Sequence, residues 1–134
     1  MSRKDGAPQS KLRKRLLSYV YAARGVRQLF KTEFNAWVHL GIALCAITLG
    51  VIFNLSSIEW IAIAICCGLV LGAEAMNTAI EYLANCYTTE KNEQIRKVKD
   101  IAAGAVLICA IAALVVGLII FLPKFLLLIT GVII

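Results

Sequence analysis

Three apolar runs separated by two polar breaks dominate the chain: Phe34 to Phe53, Ile58 to Leu83 and Ile101 to Leu122. Each is about twenty residues or longer, and a helix of that length rises roughly 30 Å, the thickness of a bilayer's hydrocarbon layer. The pattern predicts three transmembrane helices. Ahead of them Leu12, Leu16, Tyr19, Val20, Ala23, Val26 and Phe30 recur at three- and four-residue steps among Arg13, Lys14, Arg24, Arg27 and Lys31. This spacing predicts a basic amphipathic helix over 11–32 that lies in the membrane interface rather than crossing it. Residues 1–10 are polar, with Gly6 and Pro8, and are expected to be a disordered N-terminus. Residues 33–124 then make a three-span membrane domain. Pro123–Lys124 is expected to stop the third span, leaving 125–134 as an apolar C-terminal tail too short to cross again.

The breaks differ in charge. Asn54 to Ser57 holds no Lys or Arg, whereas Asn85 to Lys99 holds Lys91, Arg96, Lys97 and Lys99. Cytoplasmic loops carry the excess of basic residues, so the amphipathic helix and the second break are expected inside and the first break outside. The second span then returns inward, which places Glu74 and Glu81 in the inner half of the bilayer, level with Glu33. Trp37 reads as an interfacial anchor.

Composition agrees with this class: of 134 residues 60% are hydrophobic, which is not the make-up of a soluble domain. The net charge of +6 does not form a nucleic-acid stripe, because nine of the fourteen basic residues precede residue 32 and four more fall between Lys91 and Lys99. No nucleic-acid partner is expected. Cys45, Cys66, Cys67, Cys86 and Cys109 show no CxxC spacing and read as small hydrophobes. The basic first thirty residues lack the continuous apolar core of a cleavable signal peptide, so insertion is expected to rely on the spans.

Candidate chemistry lies where the second span is interrupted by Glu74, Asn77, Thr78 and Glu81. A carboxylate at the centre of a membrane helix costs roughly 2.5 to 3.5 kcal/mol on insertion scales, which makes such acids functional candidates. Their i, i+3, i+4, i+7 spacing stacks all four on one helical face, with about 10 Å of rise between the acids. One ion cannot bridge that distance, but a metal ligand and a proton acceptor fit on one stripe. Glu33 at the mouth of the first span and Lys99–Asp100 before the third add to the set. His39, the single histidine, reads as a packing residue. No P-loop, Rossmann glycine turn, Ser–His–Asp set or HExxH occurs. Carboxylates with a basic group at a membrane surface suit a divalent metal and phosphate together, although a non-catalytic oligomeric protein such as a cation carrier would also use the acids. Three helices bury little between them, so subunits are expected to pack around the acids.

The run Glu74–x–x–Asn77–x–Ala79–Ile80–Glu81, the later Lys99–Asp100 followed by small residues, and Glu33 just before the first span resemble the prokaryotic diacylglycerol kinase family, which includes undecaprenol kinases. The likeness covers about residues 14–122. It implies an all-α integral membrane homotrimer in the bacterial inner membrane, multi-pass, with its N-terminus and active site on the cytoplasmic side. It implies transfer of the ATP γ-phosphate, with Mg²⁺, to the hydroxyl of a membrane lipid alcohol, either diacylglycerol or undecaprenol. By position, Glu74 corresponds to the general base and Asn77 to a residue orienting the site, while Glu33 and Glu81 correspond to metal ligands that also meet the nucleotide. Lys99 and Asp100 match phosphate and nucleotide contacts, Tyr21 and Glu90 match nucleotide-side positions, and Lys14 stands where the family often has Arg. Asn35–Ala36–Trp37 departs from the family's frequent basic residue near Trp37.

Overall fold

The computed structural model of the protein describes residues 11–88 and 90–131. The expected disordered stretch 1–10 and the last three residues of the tail lie outside the described residues. Four helices follow in order: α1 (Lys11–Thr32), α2 (Phe34–Ile52), α3 (Ser57–Tyr87) and α4 (Glu93–Thr130). The chain divides into two compact units, Met1–Thr32 and Glu33–Ile134.

In the first unit α1 runs unbroken through Gly25 to a last turn that carries Lys31, a cation placed where the helix dipole is negative. Leu12, Leu16, Tyr19 and Val26 are exposed on it, and the Arg24 guanidinium lies 5.6 Å from the centroid of the Tyr21 ring. Such a contact shields both groups without neutralising the charge.

In the second unit α2, α3 and α4 are each long and apolar enough to cross a membrane. α3 packs chiefly on α4 and, less extensively, on α2. α2 matches its apolar run to within a residue. Its end is set by the turn that follows: Asn54 takes a positive φ of 49°, and Leu55 N–H donates back to Gly50 O at 3.0 Å. Gly50 is required there, because a Cβ at this position would sit 2.7 Å from Trp60 Cη2. α3 then starts on a capping box. Glu59 N–H donates to Ser56 Oγ, and Ser56 N–H donates to a Glu59 carboxylate oxygen at 2.7 Å.

Around this turn Leu55, Ile63, Ile120 and Phe121 form the core, with Phe53 and Trp60 packed against them. The other Glu59 oxygen reaches Lys124 Nζ at 3.0 Å, tying the start of α3 to the far part of α4. The expected stop at Pro123–Lys124 is therefore corrected: α4 continues through Pro123 to Thr130, so 125–130 of the expected tail is helix. A proline removes one backbone donor, which a packed membrane helix tolerates. Here the residues after it are held by the Lys124 ion pair and by Phe125, whose ring meets Phe53 edge-on at 4.9 Å. The helix ends at Gly131, which adopts φ 60° as a left-handed cap. At the other end α4 begins eight residues before its apolar run, because Asn92 Oδ1 accepts from Gln94 and Ile95 N–H and starts the helix within the charged segment.

Between the three helices lies an apolar cleft of about 550 Å³, lined by Leu49 and Ala46 of α2, Ile63 and Val70 of α3, and Ala113 and Phe121 of α4. His39 lines it as well.

Candidate active site

Glu74 is the largest fully buried side chain described, with 2% of its surface exposed. Helical spacing sets Asn77, Thr78 and Glu81 above it on the same face of α3, and Asn85 continues that stripe at i+11. Thr78 Oγ1 donates to the Glu74 backbone carbonyl at 3.0 Å, which satisfies a buried hydroxyl within the helix. Asn77 Nδ2 donates to Glu81 Oε1 at 3.3 Å, while Asn77 Oδ1 is buried and accepts nothing among the described residues. An acceptor held out of water without a donor is costly, and a ligand's donor or a cation at this place would relieve that cost.

The partners of the Glu74 carboxylate come from the neighbouring chain segment. Asn35 hydrogen-bonds to it, and Glu33, His39 and Glu81 all lie within its electrostatic range. Glu33 is half-buried and occupies the residue before α2 with extended backbone angles, φ −106° and ψ 113°, yet its side chain caps nothing. Its carboxylate is thus left to the acidic group around Glu74. The sequence pattern expects Glu33, Glu74 and Glu81 at one level; in the structure Glu33 and Glu81 each lie within electrostatic range of Glu74.

Lys99 and Asp100 part company. Lys99 Nζ donates to Asn85 Oδ1 at 2.7 Å, which holds the ammonium one helical turn beyond Glu81 on the α3 stripe. Asp100 instead pairs with Arg96 at 3.2 Å, and the same guanidinium holds Glu93 at 2.8 Å, on an exposed face of α4. Glu90 is exposed in the α3–α4 connection, where its N–H donates to Thr88 Oγ1. Lys14 and Tyr21 belong to the other unit, both exposed and seven residues apart on one face of α1.

Among the described residues no three His, Cys, Asp or Glu side chains are grouped closely enough to cage a metal by themselves. The oxygen donors present fit Mg²⁺ in its usual mode, in which one or two carboxylates share the ion with phosphate oxygens and water. Two residues of this neighbourhood were not singled out by the sequence pattern as site residues. Asn35 carried no signal beyond its place near a membrane boundary, and His39 read as packing. An i, i+4 pair of polar side chains on the first turns of a membrane helix was the sign available.

A family model described as "Prokaryotic diacylglycerol kinase" matches residues 20–121. The chain belongs to the prokaryotic diacylglycerol kinase family. It is 37% identical over 107 residues to an undecaprenol kinase of Bacillus subtilis (strain 168), covering 80% of this chain and 87% of that one. It is also 36% identical over 112 residues to a diacylglycerol kinase of Synechocystis sp. (strain ATCC 27184 / PCC 6803 / Kazusa), covering 83% of this chain and 64% of that longer one. Membership makes the protein a kinase, which sets aside the cation carrier as the reading of its buried acids.

Proposed function

We propose that this protein is a Mg²⁺- and ATP-dependent lipid kinase that moves the γ-phosphoryl group to the primary hydroxyl of a membrane lipid alcohol, diacylglycerol or undecaprenol. The observation that carries the reading is Glu74, a carboxylate buried within a membrane-length helix and facing an acidic group that continues to a lysine. Phosphoryl transfer asks for placement and charge neutralisation rather than covalent help. Glu74 takes the proton of the lipid hydroxyl, and Asn77 orients the acids beside it. Glu33 and Glu81 would hold Mg²⁺, which supplies charge neutralisation on the ATP phosphates when bound. Lys99 steadies a phosphate oxygen. Lys14, Tyr21, Glu90 and Asp100 are nucleotide contacts on this reading, drawn from the family resemblance.

The lipid tail lies among the apolar spans while its hydroxyl is held at the depth of the acids, so the membrane itself fixes one reactant's position. The basic residues of α1 and of the α3–α4 connection support a cytoplasmic site in a bacterial inner membrane, with α1 in the interface. Glu33, Asn77 and Glu81 are only partly buried within one chain, and polar groups facing lipid are penalised, which together with the family supports a homotrimer.

The test is transfer of labelled γ-phosphate from ATP by the purified full chain in mixed micelles containing diacylglycerol or undecaprenol, with and without Mg²⁺. Label is expected in at least one phosphorylated lipid, and chelation of the metal is expected to abolish it. Absence of label in both lipids at saturating Mg·ATP would overturn the proposal.

A further inference from the structure

Glu74 is placed on α3 by its own stripe, but what orients its carboxylate comes from α2. A glutamate has three rotatable side-chain bonds, and a general base must bring an oxygen within about 2.6–3.2 Å of the proton it removes. The stripe does not supply that restraint: Asn77 is bonded to Glu81, and Thr78 is bonded to the Glu74 backbone rather than to its side chain. Asn35 and His39 stand four residues apart on the first two turns of α2, so they share the face turned toward Glu74. Asn35 gives the carboxylate a hydrogen bond, and His39 lies within its electrostatic range while also lining the apolar cleft. His39 therefore occupies the junction between the buried acid and the hydrocarbon-lined space.

We propose that Asn35 and His39 are positioning residues, which hold the Glu74 carboxylate from the neighbouring helix in the orientation that accepts a proton from the lipid hydroxyl. The proposal rests on the reading of Glu74 as the general base. A buried carboxylate needs hydrogen-bond donors around it to stay in one place, and an amide from a different helix fixes it against rotation about its own backbone. Asn35 acts as a donor through its amide nitrogen. His39 adds a second polar group at the apolar end of the site, where the rest of the described lining is aliphatic, aromatic or cysteine. Neither residue touches the reacting phosphate on this account, so both act through Glu74.

The experiment compares Asn35→Ala, Asn35→Asp, His39→Leu and His39→Gln with the parent and with Glu74→Gln, using the purified full chain in lipid micelles. The turnover number is measured with the KM for Mg·ATP. Loss of one positioning contact is expected to lower kcat about 10- to 100-fold, within the range by which general-base efficiency depends on geometry, while the KM for Mg·ATP stays within about twofold. Asn35→Asp keeps the shape but replaces the donor by a second acid, so its kcat is expected to fall at least as far as that of Asn35→Ala. His39→Gln, which retains a donor, is expected to recover part of the kcat lost in His39→Leu. Asn35 is exposed at the start of its helix, so its variants test the proposal even if His39→Leu fails to fold. Parent-like kcat in Asn35→Asp, or an equal loss of kcat and of Mg·ATP affinity in both Asn35 variants, would overturn the positioning role. Turnover retained by Glu74→Gln would instead overturn the base assignment beneath it, so the two failures are told apart.

Discussion

Lys99 Nζ reaches Asn85 Oδ1 at 2.7 Å across the α3–α4 contact, which places the ammonium next in line after Glu81 on a stripe that begins at Glu74. A lysine drawn from a helix boundary toward a row of acids, but bonded to a neutral amide, keeps its full charge for an anion. Lys99→Ala is expected to lower kcat/KM for Mg·ATP about 100-fold, the scale of losing one charged contact to a transferring group. Asn85→Ala leaves the charge and frees its position, and is expected to cost about tenfold or less on the same scale. Steady-state kinetics at varied Mg·ATP measures both.

The two acids of α3 are expected to fail in different ways. Glu74→Gln removes the proton acceptor and is expected to lower kcat by about 10² to 10⁴, with nucleotide binding retained. Glu81→Gln removes a metal ligand and is expected to weaken Mg·ATP binding first. Nucleotide binding followed by calorimetry, beside turnover, separates these outcomes; equal binding and equal turnover in the two variants would contradict the division of labour.

Asn77 joins the stripe through one end of its amide only, leaving Oδ1 buried and without a donor among the described residues. Asn77→Leu removes that acceptor and releases Glu81 from its i−4 partner. A severalfold rise in the Mg²⁺ concentration giving half-maximal turnover is expected, read from a metal titration at fixed ATP.

The tight approach at Gly50 gives a stability prediction away from the chemistry. Gly50→Ala forces a methyl group toward the rigid Trp60 indole, where the added Cβ would lie 2.7 Å from Cη2. The expected cost is about 1–3 kcal/mol, as for overpacking elsewhere. Unfolding in graded denaturing detergent, with Trp60→Phe as the relieving partner, checks it.

The ion pair between Glu59 and Lys124 sits at the same end of the helices, each side chain about one-quarter exposed. Lys124→Met leaves one Glu59 oxygen without its cation while the other keeps its Ser56 bonds, and is expected to lower the melting temperature. Glu59→Gln combined with Lys124→Met is expected to recover much of the loss, because no unpaired charge then remains. A double variant no more stable than Lys124→Met alone would show that the pair's charge balance is not what matters.

The spans were legible because hydrophobic length is a strong signal: the first apolar run, Phe34 to Phe53, differs from α2 only at its last residue. The stripe was legible too, since helical periodicity alone puts Glu74, Asn77, Thr78 and Glu81 on one face. What periodicity cannot supply is contact between helices. The Glu59–Lys124 tie that carries α4 beyond Pro123 joins residues far apart in sequence. The bond of Asn35 to Glu74 is likewise a cross-helix relation, written at an amide that looks ordinary in its own segment. Lys99–Asp100 reads as one motif in sequence, yet adjacent helical positions diverge by about 100°, so the two side chains find different partners.

α4 has 38 residues, a rod of about 57 Å, in which the uncharged stretch from Ile101 to Leu122 is preceded by two charged turns and followed by helix for two further turns. The charged first turns can stand in water, but the apolar run of about 33 Å with the apolar turns beyond Lys124 is longer than a slab of about 30 Å, so α4 is expected to lean or the surrounding lipid to thicken to meet it. Leaning would swing Lys99 sideways together with the amide it grips on α3. The length of the host lipids' acyl chains thereby becomes a dial on the geometry of the acids, and turnover measured in phosphatidylcholine bilayers of graded thickness is expected to peak at one width rather than rise steadily.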